Sequence, residues 1–385
     1  MKPETVRQLD GYDNIIKEIE ISRKYGTDFT LEKGAVEKYI NRLHPQKMSL
    51  RVSKIIEETP STRTLRLLST DNYLPPFQAG QYITLYLEVD GIKTSRPYSI
   101  SSPPNQIGYY DVTVRRVENG LVSNFLLDRV KTGDIIESSA PEGTFHYNPI
   151  IHDKTMVCLA GGSGITPIMS MLREVIECGL DRIIYLFYGS NNTDDIIFHE
   201  ELSRLSEQFD NINYIPVIEN PSKNYTGKCG FITADLISET LGEFSDKSFF
   251  LCGPQAMYDF CLPEVEKLGI PKRKIKKEIP GTPLNIWEYP GWPSDVKKDD
   301  VFTVKISGTK SIQASAGESL LVALEKNGLV IPTLCRSGEC STCRIKLVSG
   351  KVFQPQDTPV RKSDRQFGYI HSCVSYPLED LEVLL

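Results

Sequence analysis

The sequence lacks the features by which membrane, exported and nucleic-acid-binding proteins are usually recognised. It has no apolar run that approaches the roughly 20 residues needed to span a bilayer, so we expect no membrane insertion. The chain opens Met-Lys-Pro-Glu-Thr, which predicts that no signal peptide is present. Lys and Arg (44) are fewer than Asp and Glu (50), and the resulting net charge of −6 argues against a nucleic-acid partner.

Closely spaced cysteines occur only in the C-terminal region of the sequence. Five of the nine cysteines are scattered singly, which is typical of a reducing compartment and predicts a cytoplasmic protein. These five are Cys158, Cys178, Cys229, Cys252 and Cys261. A length of 385 residues with 40% apolar content predicts two to four domains with packed cores.

The four remaining cysteines form the most specific motif of the chain. They are Cys335, Cys340, Cys343 and Cys373. The first three have the spacing C-x4-C-x2-C, which with a distant fourth cysteine is the plant-type pattern for a [2Fe–2S] cluster. Gly338 lies in this loop and permits a close backbone approach to inorganic sulfide. A zinc site would usually pair two Cys-x-x-Cys steps, and only one is present. The motif therefore predicts a one-electron centre.

The spacing of apolar residues along the sequence divides the chain into segments. An i, i+3, i+4, i+7 spacing that starts at Val36 predicts a helix. Later the pattern changes to alternation broken by Pro and Gly, which predicts an antiparallel barrel, and then to strand–turn–helix units, which predict a parallel sheet. Trp287 and Trp292 should pin the Pro/Gly-dense linker to a surface. The predicted segments are a helical extension (1–46), a β-barrel (47–150), an α/β domain (151–278), a linker (279–298) and the cluster domain (299–385).

The segment Arg96-Pro97-Tyr98-Ser99 ends a predicted barrel strand and has the chemistry that a flavin requires. A flavin needs a cation for its phosphate, an aromatic surface for its ring and a small hydrogen-bonding group near the atom that accepts hydride. These four residues supply all three, although by themselves they also fit an ordinary edge strand.

A second glycine turn follows in the same predicted domain, at Gly120-Leu121-Val122-Ser123. If this turn opens a helix, free backbone amides there would hold a second phosphate group. The alternative is that Ser123 is a common helix N-cap.

A third glycine-rich turn, Gly161-Gly162-Ser163-Gly164-Ile165-Thr166-Pro167, lies between a buried strand and a helix. Its glycines would let amides approach a pyrophosphate, and proline fits the first helical turn because it lacks an N–H. The alternative is a plain turn, since the G-x-G-x-x-G fingerprint is absent. Cys252-Gly253-Pro254 closes another strand at the carboxyl edge, where open α/β sheets bind ligands. A single cysteine at such a place is also a common buried small residue.

In this order, the motifs make residues 47–385 resemble the ferredoxin–NADP reductase superfamily. The order resembles that of the fused reductases of the phthalate dioxygenase reductase type, which end in a plant-type ferredoxin domain. The resemblance implies a multidomain fold with a flavin-binding antiparallel β-barrel, a parallel-sheet nucleotide domain and an α+β (β-grasp) ferredoxin domain.

The resemblance also implies a role for each matching residue. Arg96 would hold the flavin phosphate, Tyr98 would stack on the isoalloxazine and Ser99 would lie beside N5. Gly120 to Ser123 match the second flavin-phosphate motif, and Gly161 to Pro167 match the turn for the nicotinamide cofactor's pyrophosphate. Cys252-Gly253-Pro254 match the motif beside the nicotinamide, and the four clustered cysteines are the implied iron ligands.

One departure from the superfamily pattern predicts the choice of nucleotide. In NADPH-preferring relatives a basic residue follows the Tyr-Gly-Ser strand end. Here Tyr188-Gly189-Ser190 is followed by a polar segment that contains Asp194 and Asp195 and no cation. We therefore expect NADH in preference to NADPH, and FAD as the flavin with FMN as the alternative.

These features predict an NADH-dependent reductase that passes electrons from NADH through flavin and a [2Fe–2S] cluster to a partner protein, such as an oxygenase or another redox enzyme. The first alternative is an electron-carrier and docking subunit of a larger redox complex with a non-functional nucleotide site. The second is a terminal reductase of a small molecule. The intact glycine-rich turn at Gly161 argues against the first alternative, and a one-electron exit domain would have little use in the second.

Overall fold

The computed structural model describes residues 11–26, 35–278, 281, 285–356 and 358–385. It contains two compact units, Met1–Gln46 and Lys47–Leu385. The first unit holds helices α1 (Tyr12–Tyr25) and α2 (Ala35–Leu43), and α2 coincides with the apolar spacing that starts at Val36. Within the described ranges, no helix is both long enough and apolar enough to cross a membrane.

The second unit begins with a six-stranded antiparallel sheet of order β4-β3-β6-β1-β2-β5. A bridge between Ile100 and Val112 joins the ends of the sheet, so that it closes around an apolar core. This confirms the predicted antiparallel barrel. Its elements are β1 (Met48–Thr59), β2 (Thr62–Ser69), β3 (Tyr82–Val89), β4 (Ile92–Ser99), β5 (Tyr110–Arg115), α3 (Leu121–Asp128) and β6 (Ile135–Ser138).

A parallel sheet of order β10-β9-β8-β7-β11-β12 follows. Strands β7 and β11 are buried along their whole length, as expected for central strands with both faces covered. The predicted α/β domain is thus confirmed. Its elements are β7 (Thr155–Gly161), α4 (Ile165–Glu177), β8 (Ile183–Ser190), α5 (His199–Gln208), β9 (Ile212–Ile218), β10 (Lys228–Cys229), α6 (Ala234–Leu241), β11 (Lys247–Cys252), α7 (Gln255–Lys267) and β12 (Ile275–Lys277).

The C-terminal part forms a mixed five-stranded sheet of order β14-β13-β19-β15-β17, whose apolar side packs with a helix. This is the β-grasp arrangement that the ferredoxin resemblance implied. Its elements are β13 (Val301–Ile306), β14 (Ser311–Ser315), α8 (Leu320–Lys326), β15 (Arg344–Ser349), β16 (Val352–Phe353), α9 (Lys362–Gln366), β17 (Tyr369–His371), β18 (Tyr376–Pro377) and β19 (Leu381–Leu384).

The described part of the Pro/Gly-dense linker packs on this last domain. The Trp292 ring lies edge-on to Phe353 with centroids 5.1 Å apart, and the Trp292 indole N–H donates to the carbonyl of Val296 at 2.8 Å. Ile286 is fully buried in the same cluster. The tryptophans therefore hold the linker against a surface, as predicted.

Candidate active site at a three-domain junction

A cavity of about 250 Å³ opens where the barrel, the parallel sheet and the β-grasp domain meet. The end of β4 contributes Ser99, the end of β11 contributes Cys252, and the cysteine loop contributes Cys335. Residues from three distant parts of the chain therefore line one space. Further lining residues are Gly80, Tyr82, Pro97, Gly143, Ser163, Gly253, Tyr258, Lys277, Glu278, Ser337 and Glu339.

The predicted flavin motif lies on β4, antiparallel to β3. Ser99 pairs with Tyr82, and Tyr98 pairs with Ile83 and packs on the barrel core. The Arg96 guanidinium donates to the hydroxyl of Thr94 at 2.8 Å and to the carbonyl of Ser95 at 2.7 Å. Arg96 and Ser99 thus lie on the part of the barrel that faces the β-grasp domain.

A buried group of charges joins this part of the barrel to the β-grasp domain. Arg336, which follows the first cluster cysteine, forms an ion pair with Glu325 of α8, and both side chains are less than 10% exposed. The Thr94 hydroxyl donates to Glu325 at 3.0 Å and accepts from Arg336 at 3.1 Å. Burial, together with the charge of nearby Arg96, lowers the pKa of Arg336 to about 10. We call Thr94, Arg96, Glu325 and Arg336 the interdomain clasp.

The second flavin motif begins α3, with Gly120 at the N-cap. Ser123 lies inside the helix, and its hydroxyl accepts from the Val117 N–H at 3.1 Å, so the alternative that Ser123 is the N-cap is wrong. A Cβ on Gly120 would come within 3.0 Å of the Val117 carbonyl oxygen. No side chain caps this helix start, so its first amides can serve an anionic ligand.

The glycine-rich turn after β7 packs directly against the Cys252-Gly253 turn after β11. These strands are parallel neighbours, with Ala160 paired to Cys252. A Cβ on Gly164 would overlap the Cys252 carbonyl, and one on Gly161 would lie 2.5 Å from the sulfur of Met257. A glycine at position 164 is therefore required by the contact between the two turns. Helix α4 begins at Ile165 without a side-chain cap, with Pro167 in its first turn, which leaves amides for a pyrophosphate.

Cys252 has a carboxyl partner that the sequence did not reveal. Its Sγ–H donates to Glu278 Oε2 at 2.8 Å, and Glu278 follows directly after β12. Burial raises the pKa of Glu278 to about 7, with a smaller contribution from the charge of Glu339. Burial also raises the pKa of the Cys252 thiol, so this sulfur stays protonated and is not a thiolate nucleophile. The pair places one titratable proton in the cavity wall.

The carboxylates expected to repel a 2′-phosphate have different positions. Asp194 is exposed, whereas Asp195 forms an ion pair with Arg115 of β5 and accepts hydrogen bonds from Thr59 and Ser61, both at 2.6 Å. The Arg115 guanidinium also lies at Gly162, where a Cβ would overlap it. The barrel thus brings the guanidinium of Arg115 to the nucleotide turn, and the ion pair with Asp195 holds this guanidinium in place. Of these two carboxylates, the exposed Asp194 is the one that is not held by Arg115, and the preference for NADH over NADPH stays a prediction.

The four clustered cysteines meet as two pairs. Cys335 hydrogen bonds with Cys340, and Cys343 with Cys373, and the first of these bonds lowers the pKa of the Cys340 thiol. The Cys335 sulfur also accepts from the backbone N–H groups of Ser337 (3.4 Å) and Cys340 (3.3 Å). Such amide donors favour an anionic sulfur ligand.

The two pairs fit a binuclear cluster, because each of two irons would take one pair of thiolates. Gly338 adopts φ +82° in the loop, and its carbonyl lies 2.7 Å from Nδ1 of the fully buried His371, which fixes the loop from outside.

Sequence reasoning missed the partners that tertiary packing brings to the motifs. Arg115 of the barrel reaches the Gly162 turn, and Glu325 of the β-grasp domain reaches Thr94 of the barrel. Glu278 reaches Cys252 from a neighbouring strand of the same sheet, and no spacing signals any of these contacts. An acidic residue at the end of the basic strand β12 was the only local sign of Glu278.

The fold and the junction define a class of protein: an oxidoreductase in which a nucleotide-binding sheet, a flavin-type barrel and a cysteine-rich one-electron domain share one cavity. Comparisons with known proteins agree. Family models match the oxidoreductase FAD-binding domain at residues 47–147, the oxidoreductase NAD-binding domain at 158–262 and the 2Fe-2S iron-sulfur cluster binding domain at 304–378.

This chain aligns with two related proteins along most of their length. The glycine betaine monooxygenase reductase subunit of Pseudomonas aeruginosa is 30% identical over 87% of this chain and 94% of its own length. The NADH oxidoreductase HCR of Escherichia coli is 30% identical over 86% of this chain and 96% of its own length. The structure of phthalate dioxygenase reductase, 24% identical, has the same fold with a TM-score of 0.64 over 88% of this chain and 97% of its own.

The chain therefore belongs to the family of fused reductases of the ferredoxin–NADP reductase superfamily that end in a plant-type [2Fe–2S] domain. It is an NAD(P)H-dependent flavo-iron–sulfur oxidoreductase whose cofactors are FAD, NADH and a [2Fe–2S] cluster. It passes electrons in the order NADH, flavin, cluster and partner protein.

Proposed function

We propose that NADH reduces the flavin in the three-domain cavity and that single electrons leave through the cluster to a separate oxygenase. The observation that carries this proposal is the shared lining of the cavity by Ser99, Cys252 and Cys335. One space that touches all three motifs allows hydride entry and one-electron exit without a large domain movement.

The residues of this chain have positioning roles in the proposal. When bound, the flavin accepts a hydride and releases electrons singly, and the cluster carries one electron at a time. Ser99 would donate a hydrogen bond at the ring edge, and Cys252 would contact the nicotinamide face, with its thiol fixed by Glu278. Glu278 would hold or release a proton in the cavity wall, since its raised pKa lies near neutrality.

The phosphate groups would be held by the glycine turns and by Arg96. The uncapped start of α3 is suited to a flavin phosphate, and that of α4 to the pyrophosphate of NADH, because each presents free N–H groups to an anion. Gly189 and Ser190 at the end of β8 would border the adenosine ribose. Cys335, Cys340, Cys343 and Cys373 are the proposed iron ligands.

An oxygenase is the acceptor that the relatives favour. Two of them are named as reductase components of a glycine betaine monooxygenase and of a 3-ketosteroid-9-alpha-monooxygenase. These names identify no substrate for the partner of the present chain. They support the proposal that the partner is a separate enzyme that takes electrons singly.

An anaerobic titration with NADH tests the proposal. The holoprotein should lose its flavin absorbance and then its cluster absorbance, and it should reduce cytochrome c. Ser99→Ala should slow flavin bleaching while flavin content is unchanged. Ser307→Ala is the matched control, because Ser307 is a half-buried serine of the β-grasp domain whose hydroxyl donates to Glu382, away from the cavity. Failure of NADH to bleach the bound flavin would instead support the electron-carrier alternative.

A further inference from the structure

The cysteine loop has an inner and an outer side. On the inner side, Cys335, Ser337 and Glu339 line the three-domain cavity. On the outer side, Asp364 of α9 hydrogen bonds with His371 at 3.0 Å. The surface formed by α9 and the neighbouring strands β15 and β17 adjoins this outer side, so it offers electrons a path out of the cluster loop that avoids the cavity.

This outer surface has the opposite charge to the chain as a whole. Between residues 344 and 375 the sequence has six Lys or Arg and two Asp, whereas the whole chain has a net charge of −6. Exposed cations lie on the outer face of β15 and around α9, with an apolar side chain beside them. We call this set the basic patch: Arg344, Lys346, Arg361, Lys362, Arg365 and Phe367.

The patch is continuous with the cluster loop. Arg344 directly follows Cys343, lies over the ring of Tyr369 and is 3.7 Å from Asp364. Arg344 of β15 pairs with His371 of β17, the strand that leads to Cys373. Helix α9 lies against the same strand, because its Asp364 contacts His371. In the described part of the chain, Asp364 is the one carboxylate that forms an ion pair within the patch, and it is buried, so the positive charge faces outward.

Phe367 gives the patch an apolar centre, since its side chain is 64% exposed at the end of α9. A central aromatic with a charged rim is the usual composition of a protein–protein contact. Basic residues around an exposed aromatic also occur at membrane surfaces, but this patch adjoins the cysteine loop, which favours a protein that accepts electrons.

We propose that the basic patch is the docking surface for the electron acceptor, and that this acceptor presents an acidic surface around its own redox centre. The inference rests on the proposed function, because it assumes that electrons leave through the cluster. Attraction between the patch and an acidic partner would speed encounter and would weaken as salt screens it.

The test compares two charge-reversal variants of the holoprotein. R361E/K362E inverts two patch cations at the start of α9, where acidic residues are tolerated at a helix N-terminus. K272E/R273E is the matched control, because it inverts two adjacent exposed cations at the start of a short helical turn in the NAD domain. Both variants should retain full cluster absorbance and unchanged bleaching of flavin by NADH.

The probes are two haem proteins of opposite charge, the acidic soluble domain of cytochrome b5 and the basic cytochrome c. With cytochrome b5, the wild type and the control should react at a rate that falls with ionic strength. R361E/K362E should be about tenfold slower at low salt and should have lost that dependence. With cytochrome c, R361E/K362E should be as fast as the wild type or faster. F367A should slow cytochrome b5 reduction without changing its salt dependence.

Two results would overturn the proposal. One is equal cytochrome b5 rates and salt dependence in R361E/K362E, in the control and in the wild type. The other is binding to phosphatidylserine vesicles that R361E/K362E abolishes, which would assign the patch to a membrane surface. A failure of the proposed function would look different, since NADH would then not bleach the flavin in any variant, including the wild type.

Discussion

Substitution of Glu325 by Gln tests the interdomain clasp. Glu325 is the carboxylate that faces the guanidinium of Arg336, and Arg96 lies close enough to act on the charges of both. Removal of the negative charge would leave two cations facing each other in a buried site. Breaking a buried ion pair by removing one partner costs about 3–5 kcal/mol. That is a large part of the roughly 5–15 kcal/mol that stabilises a typical domain.

Urea unfolding of the holoprotein, followed by cluster absorbance, measures this loss. The matched control is Glu382→Gln, because Glu382 pairs at 3.2 Å with the exposed Lys305 at the protein surface, and surface pairs contribute about 0–1 kcal/mol. The double variant E325L/R336M should recover much of the lost stability, since replacement of both partners of a buried ion pair by apolar residues is often neutral. The reasoning is refuted if E325Q loses less than about 1 kcal/mol, as a surface pair would, or if the double variant is less stable than E325Q alone.

Four further predictions concern the cofactor sites. Cys340→Ser should abolish cluster assembly while flavin stays bound, and retention of about two irons per chain by Cys373→Ala would contradict the ligand assignment. Arg96→Ala should weaken flavin binding by about 1.5–3 kcal/mol, measured by dialysis, and unchanged retention would exclude a phosphate contact. The kcat/KM for NADH should exceed that for NADPH by at least about tenfold, or 1.4 kcal/mol. Asp195→Asn should reduce this ratio, because it releases the guanidinium of Arg115 to meet a 2′-phosphate. Equal kcat/KM values for the two nucleotides in the wild type would disprove the preference. Because the carboxyl of Glu278 is protonated below about pH 7 and charged above it, flavin reduction should slow as pH rises through 7, and a Glu278→Gln profile with the same inflection would show that another group titrates.

The raised pKa of Glu278 also makes the free energy of unfolding depend on pH. Its folded pKa of about 7 is above the ordinary value of 4.5, so the folded state binds more protons between these values. Its contribution to stability is therefore greatest below pH 4.5 and is lost as pH rises through 7. Glu278→Gln should remove this part of the pH dependence, which urea unfolding at several pH values would measure.

Local patterns of the sequence were sufficient to predict the barrel, the parallel sheet and a cysteine-rich redox domain. Alternation, strand–turn–helix units and the spacing of four cysteines depend on backbone geometry over a few residues, so they can be read without knowledge of distant contacts. The resemblance to a known family then supplied the β-grasp fold and roles for residues such as Ser99 and Cys252. The reason for the glycine at Gly164 was only partly anticipated, since the contact with the Cys252 turn also requires it.

The sequence by itself predicted the elements and the order of the motifs, because these follow from residue type and short spacing, and its cysteine spacing predicts the cluster ligands. Only the tertiary structure decided which charged and polar side chains meet. Docking between domains paired Asp195 with Arg115 and Thr94 with Glu325, across separations of 80 and 231 residues. Packing of neighbouring strands in one sheet paired Cys252 with Glu278, 26 residues apart. No periodicity within one segment encodes the partner that burial imposes on a polar group, because these contacts form between separately patterned parts of the chain.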